Sequence, residues 1–219
     1  MQALRFTLPL LLTTCSAFAQ SNMPATADTA GHKHGFDVYY LGDLNRTNGT
    51  EERAYLPARH LGYERILYYY YSPPGQKGSK REQLKMDGVR SMTVHGRYFE
   101  KLIINSEATD ILALRMVQGP MELFGYAQPK AVPLPIPVPG GAMVSTVLVD
   151  GYTKQRWFVR QQGSVVPISK GKFAVQMSAL LSNYPALARQ VSAGEEGYRY
   201  ENIQAIVREY NDYLNKLSR

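Results

Sequence analysis

The chain has 219 residues, 44% of them hydrophobic and 20% charged, with a formal charge of +7. The basic excess favours acidic partners at long range, but the lysines and arginines are scattered and form no stripe or known motif, which excludes a nucleic-acid-binding protein. The single cysteine, Cys15, lies near the amino terminus. If that end is removed, disulfides, thiol catalysis and zinc–thiolate sites are excluded with it.

Residues 1–19 read as a secretory signal peptide. Arg5 is a short basic region, Phe6 to Leu12 is apolar, and Ala17-Phe18-Ala19 is a small-x-small cleavage signal, with the cut expected before Gln20. The apolar run is too short to cross a bilayer core of about 30 Å. A lipoprotein signal built on Leu12-Thr13-Thr14-Cys15 is the rival, although Thr14 is a poor residue before a lipidated cysteine. Either reading implies export to the periplasm or the extracellular space, with possible attachment to the envelope left open. No transmembrane segment is expected after signal removal, because Ala131 to Val149 is interrupted by Pro133, Pro135, Pro137 and Pro139.

Residues 20–34 are small and polar and lack periodicity, so they are expected to form a disordered leader. Within it His32 and His34 make an H-x-H pair with no third ligand from a rigid element; no metal site is expected.

Residues 35–170 are expected to form an antiparallel β domain. Phe36 to Leu41 is β-prone, and Asn48-Gly49 is a hairpin signal. Tyr63 to Tyr71 contains four successive tyrosines. Alternation places Ile66, Tyr68 and Tyr70 on one face and Leu67, Tyr69 and Tyr71 on the other. One face should pack inward, and the other should lie under the C-terminal helices or line a groove; a membrane-interface belt is a third option. Leu84 to Val94 and Arg97 to Ile104 should pair about His95-Gly96. Asp110 to Val117 and Met121 to Tyr126 should pair about Gln118-Gly119-Pro120. The proline-rich stretch 129–141 is expected to be an extended spacer at an edge or surface, since proline cannot donate to an interior ladder. Val144 to Val149, Arg156 to Arg160 and Val165 to Ile168 are further strands.

Residues 171–219 switch to helical spacing. Phe173, Met177, Leu180, Leu181 and Tyr184 form one stripe, Pro185 suits a helix start, and Ile203, Ile206, Val207, Tyr210, Tyr213, Leu214 and Leu217 form another. The fold class is therefore α+β: a mainly antiparallel curled or barrel-like sheet followed by C-terminal helices.

The order of features carries a resemblance. Asp87 to Glu100 (DGVRSMTVHGRYFE), Val147 to Gly151 (VLVDG), Asn183 to Leu187 (NYPAL) and Tyr200 to Asn211 (YENIQAIVREYN) follow a signal peptide and β-strands. In this the chain resembles a group of uncharacterised exported proteins of Gram-negative bacterial envelopes. The resemblance brings no activity and no functional residue.

Chemistry is sparse. There is no G-x-S-x-G elbow, no phosphate-binding glycine loop and no calcium loop. Asp87, Glu100 and Asp110 are carboxylates that one sequence cannot pair across strands. No catalytic residue, cofactor or metal ligand is assigned. The expected role is a non-catalytic interaction or ligand-binding module of the envelope, with an envelope protein or a polysaccharide as partner. Its expected surface is Tyr69, Tyr71, Arg97, Tyr98 and Trp157. A hydrolase acting on an envelope polymer through paired carboxylates is the alternative, and an accessory subunit docking through the last helix is a third reading.

Overall fold

The computed structural model describes residues 30–58, 65–137 and 143–218. The signal peptide and residues 20–29 of the expected leader lie outside the described residues. Eleven strands form one sheet: β1 (His32–His34), β2 (Asp37–Arg46), β3 (Glu51–Pro57), β4 (Ile66–Tyr70), β5 (Arg81–Lys85), β6 (Val89–Val94), β7 (Arg97–Ile104), β8 (Glu107–Val117), β9 (Met121–Pro137), β10 (Met143–Gln161) and β11 (Ser164–Ile168). Their order is β11-β10-β9-β8-β7-β6-β2-β3-β4-β5, with β1 paired to β2. Helices α1 (Phe173–Leu180), α2 (Pro185–Ala193) and α3 (Ile203–Leu217) follow.

Turn chemistry explains the meander. At His95-Gly96 and Gln162-Gly163 both central residues have positive φ, 48° and 70° in the first and 49° and 79° in the second. That backbone matches the right-handed twist of a tight hairpin, and glycine adopts it without a Cβ clash. Every ladder is antiparallel, and short connections join the hairpin pairs among them.

The sheet curls, and it does so in register. β11 stands four places from β7. In a flat sheet with strands about 4.8 Å apart the two would be about 19 Å from one another. Instead Val165 of β11 packs in one cluster with Leu102 and Ile104 of β7, around Ala113, Phe124, Tyr126 and Phe158. The opposite face carries two larger cores. Leu44, Leu56, Leu67, Tyr69, Met92, Phe99 and Leu114 fill the N-terminal half. Val117, Met121, Leu123, Trp157 and Val159 meet Met177, Leu181, Leu187, Ile206, Val207 and Tyr210 of the helices. The sheet stays open, because its end strands β11 and β5 do not pair with each other.

Four expectations change. Val144 to Val149 and Arg156 to Arg160, expected as separate strands, are parts of one strand, β10. The end of the leader, His32 to His34, is a strand; it pairs with Asp37 to Tyr39 about Gly35. The proline stretch is not a spacer. Pro133, Pro135 and Pro137 lie inside β9 and pair with Leu148, Ser145 and Met143 of β10. It is nonetheless extended and edge-lying: β8 meets β9 only between Leu123 and Gly125, so this part of β9 has one neighbour among the described residues. The helices cover the C-terminal half of the sheet, not the tyrosine strand.

Alternation in the tyrosine strand holds. Leu67 and Tyr69 enter the large core. Tyr70 faces the other way and packs against Tyr39 and Tyr55. His34 lies edge-on to Tyr70 and His32 edge-on to Tyr55, at 5.6 and 5.2 Å between ring centres. These rings, not helices, cover that face.

Candidate functional site

The five residues expected to share a surface fall in four places. Trp157 is 7% exposed and belongs to the core under the helices. It pairs across the sheet with Gly125, and a Cβ there would come within 2.6 Å of the indole. The ring lies on that glycine, so it is packing and not a ligand platform. Arg97 and Tyr98 are consecutive on β7 and so point to opposite faces.

Tyr69 and Tyr71 meet at their hydroxyls. Tyr69 is buried and Tyr71 exposed. The β-bulge between Asn45 and Arg46 shifts the register of β2 against β6 at Arg46. Arg46 Nη2 donates to Tyr69 Oη at 2.9 Å, Arg46 Nε pairs with Glu52 Oε1, and the Tyr71 hydroxyl donates to Glu52 Oε2. The Glu52 carboxylate, and then Tyr69, hold the Tyr71 phenol in its neutral form, well above the ordinary tyrosine range. The group is a clamp between β2, β3 and the end of β4.

Tyr98 belongs to a polar ladder on the curled face. Arg160 Nη1 donates to Glu100 Oε1 at 2.8 Å, and its Nε donates to Glu122 Oε2 at 2.6 Å. Arg115 Nη1 reaches Glu122 Oε1 at 3.1 Å, and Tyr98 Oη donates to Glu100 Oε2 at 3.2 Å. The Arg115 guanidinium lies 4.3 Å from the centre of the Tyr98 ring, and that of Arg160 lies 4.7 Å from the Phe124 ring. Burial, with the charge of Glu100, raises the Tyr98 phenol above its ordinary range. The fold thus unites two carboxylates that the sequence could not pair, Glu100 and Glu122. All four of their oxygens are engaged by protein donors. General acid–base hydrolysis needs carboxyl oxygens turned toward substrate and water. This pair is instead a strut that ties β7 to β9 and β10. A polar cleft of about 230 Å³ beside it is lined by Asn45, Gly49, Arg90, Ser91, Tyr98 and Glu100 among others.

Arg97 opens a different surface. A groove of about 350 Å³ runs past Phe36, Asp37, Val38, Tyr40, Ala58, His95 and Arg97. The Tyr40 and His95 rings stack at 4.1 Å, 23° from parallel. Arg97 Nη1 donates to the Ala58 carbonyl at 2.7 Å, which fixes the guanidinium at the rim. Phe36 stands at the tip of the β1–β2 hairpin, and its side chain is fully exposed. Val38 beside it is 38% exposed. The groove therefore combines an aromatic stack, an apolar tip and an anchored cation. Sequence reasoning found Arg97 and missed Phe36, Tyr40 and His95. The signal was present in Gly35-Phe36: an aromatic directly after a turn glycine, at the tip of a hairpin whose first strand reads as leader.

Among the described residues no group of three or more His, Cys, Asp or Glu could hold a metal ion. No described helix is long and apolar enough to cross a membrane. Comparison with known proteins finds no matching family model, no matching curated relative and no matching solved structure.

Proposed function

We propose that this chain is an exported, non-catalytic binding module of the bacterial cell envelope, and that it binds at the Phe36–Tyr40–His95–Arg97 groove. The observation that carries the reading is Phe36, a phenyl ring held clear of its own core beside a stacked aromatic pair and an anchored guanidinium. A large apolar side chain gains nothing from the folded chain in that position; it gains when a partner covers it. The stack offers a flat apolar face, and Arg97 offers a planar fork for a carboxylate. An acidic envelope polysaccharide presents both features, sugar faces and carboxylates, in one chain.

The reading is tested by retention of the purified protein on immobilised acidic envelope glycan, at low salt and then at raised salt. Phe36→Ala and Arg97→Ala should each weaken retention at least about tenfold, the loss of about 1.4 kcal/mol, with the melting temperature unchanged. Retention unchanged in both variants refutes the groove. Retention of an envelope protein in place of glycan moves the site to a protein partner.

A further inference from the structure

A sheet edge is a row of backbone donors and acceptors without partners, and proteins blunt it with charge, proline or brevity. This sheet does so at three of its edges. β5 carries Arg81 and Lys85, both exposed. β11 carries Pro167, and β1 has only three residues.

The fourth case is the arm formed by β9 and β10. From Pro129 to Pro137 and from Met143 to Thr153 these strands pair with each other and with no third strand among the described residues. Prolines alternate along β9, so their nitrogens all fall on one edge. A ladder to β10 exists, and its donors must then be the intervening residues Leu134 and Ile136. The proline nitrogens line the outer edge of β9 and close it. The outer edge of β10 is different. Met143, Ser145 and, past the register shift between Ser145 and Val147, Leu148 are the register partners of the prolines, so their N–H groups, like the proline nitrogens, turn away from the shared ladder. No proline interrupts β10, and no charged residue occurs from Ala131 to Val149. From Met143 to Val149 this edge has neither charge nor proline, and a register shift between Ser145 and Val147 is its one irregularity, on a two-stranded ribbon that is marginal in water by itself.

We propose that the outer edge of β10 pairs with the same edge of a second copy of this chain. About a twofold axis the antiparallel pairing gives a four-stranded ribbon, β9-β10-β10-β9, with a proline-lined edge on each side. That arrangement satisfies the open edge and stops at two. A foreign strand would leave its own outer edge exposed, whereas the second copy brings a closed one. The surface is separate from the groove of the proposed function.

The test is the solution mass of the full exported chain by light scattering from micromolar to submillimolar concentration. The wild type should approach twice the mass of one chain as concentration rises. Ser145→Pro removes an outward N–H while sparing the ladder to β9; it should stay at one chain, with an unchanged circular dichroism spectrum. A wild type that remains single throughout overturns the proposal, including one that sediments with lipid vesicles. A dimer that survives in folded Ser145→Pro overturns it as well. If that variant does not fold, hydrogen exchange on the wild type decides. The amides of Met143, Ser145 and Leu148 should exchange at least about tenfold more slowly at high than at low concentration. Exchange independent of concentration refutes the pairing.

Discussion

Asn211 clasps Met121 through both backbone groups. The carboxamide Oδ1 accepts from the Met121 N–H at 2.9 Å, and Nδ2 donates to the Met121 carbonyl at 2.8 Å. Asn211 is 4% exposed, so one buried side chain stands in for a missing piece of β-ladder. It joins α3 to the first residue of β9. Gly119, just before, has φ of 154° and would place any Cβ 2.4 Å from the Asn211 amide nitrogen. The glycine is required by the clasp as much as by the turn.

Asn211→Leu should therefore be costly. It leaves a buried N–H and a buried carbonyl without partners, about 1–3 kcal/mol each. Gly119→Ala should push the carboxamide out of place and cost about 1–3 kcal/mol as overpacking. Thermal melts of both variants check this. A shift of less than a degree in Asn211→Leu would show that the clasp is not what seats α3.

Arg160 holds the curl. Its bonds to Glu100 and Glu122 connect β10 to β7 and β9. These side chains are about one-fifth exposed, so water screens the pairing in part. Arg160→Met should cost about 1.5–3 kcal/mol, the range for hydrogen bonds to charged groups. Binding at the groove should not change, because Arg97 faces the other side of the sheet. Denaturant melts and the glycan-retention assay separate the two effects. Lost binding at intact stability would place the ladder in the site.

Tyr70 makes the opposite prediction. Its ring is 2% exposed and packed among Tyr39 and Tyr55, and its hydroxyl has no hydrogen-bond partner among the described residues. A buried hydroxyl without a partner costs about 1–3 kcal/mol. Tyr70→Phe should therefore be neutral or stabilising by up to about 1 kcal/mol, an unusual outcome for a core tyrosine. A destabilised Tyr70→Phe would reveal a partner for that hydroxyl.

Tyr71 supplies the pH dependence. Its phenol is raised above the ordinary value by the hydrogen bond to Glu52, with Tyr69 adding to it. A raised pKa means that the folded state favours the protonated phenol. Its contribution to stability is full below pH 10, the unfolded value, and is lost as pH climbs through the folded one. Ultraviolet titration of the phenolates should show Tyr71 ionising above the ordinary tyrosine value of 10. Glu52→Gln should bring it back down. A titration that Glu52→Gln leaves unaltered would exclude the carboxylate as the cause.

Much of this architecture was legible locally. The hairpins at His95-Gly96 and Gln162-Gly163 follow from residues that tolerate positive φ. The period-two alternation of Leu67, Tyr69 and Tyr70 and the helical stripe of Ile203, Ile206, Val207 and Tyr210 both reached the cores they pointed to. Trp157 shows where such reasoning stops. An aromatic near a strand end looks the same whether a helix or a ligand covers it, and only the glycine opposite it on the next strand decides.

The sequence by itself determined an antiparallel β domain with a helical close, because hydrogen-bonding preference, side-chain period and turn chemistry act over a few residues. Tertiary structure decided everything that depends on curvature. It joined Glu100 to Arg160 across sixty residues, turned Arg97 and Tyr98 to opposite faces of one sheet, and set Phe36 beside Tyr40 and His95. The reason is geometric: the twist and coil of a sheet sum over many strands, so which side chains meet across its face depends on all of the ladders between them.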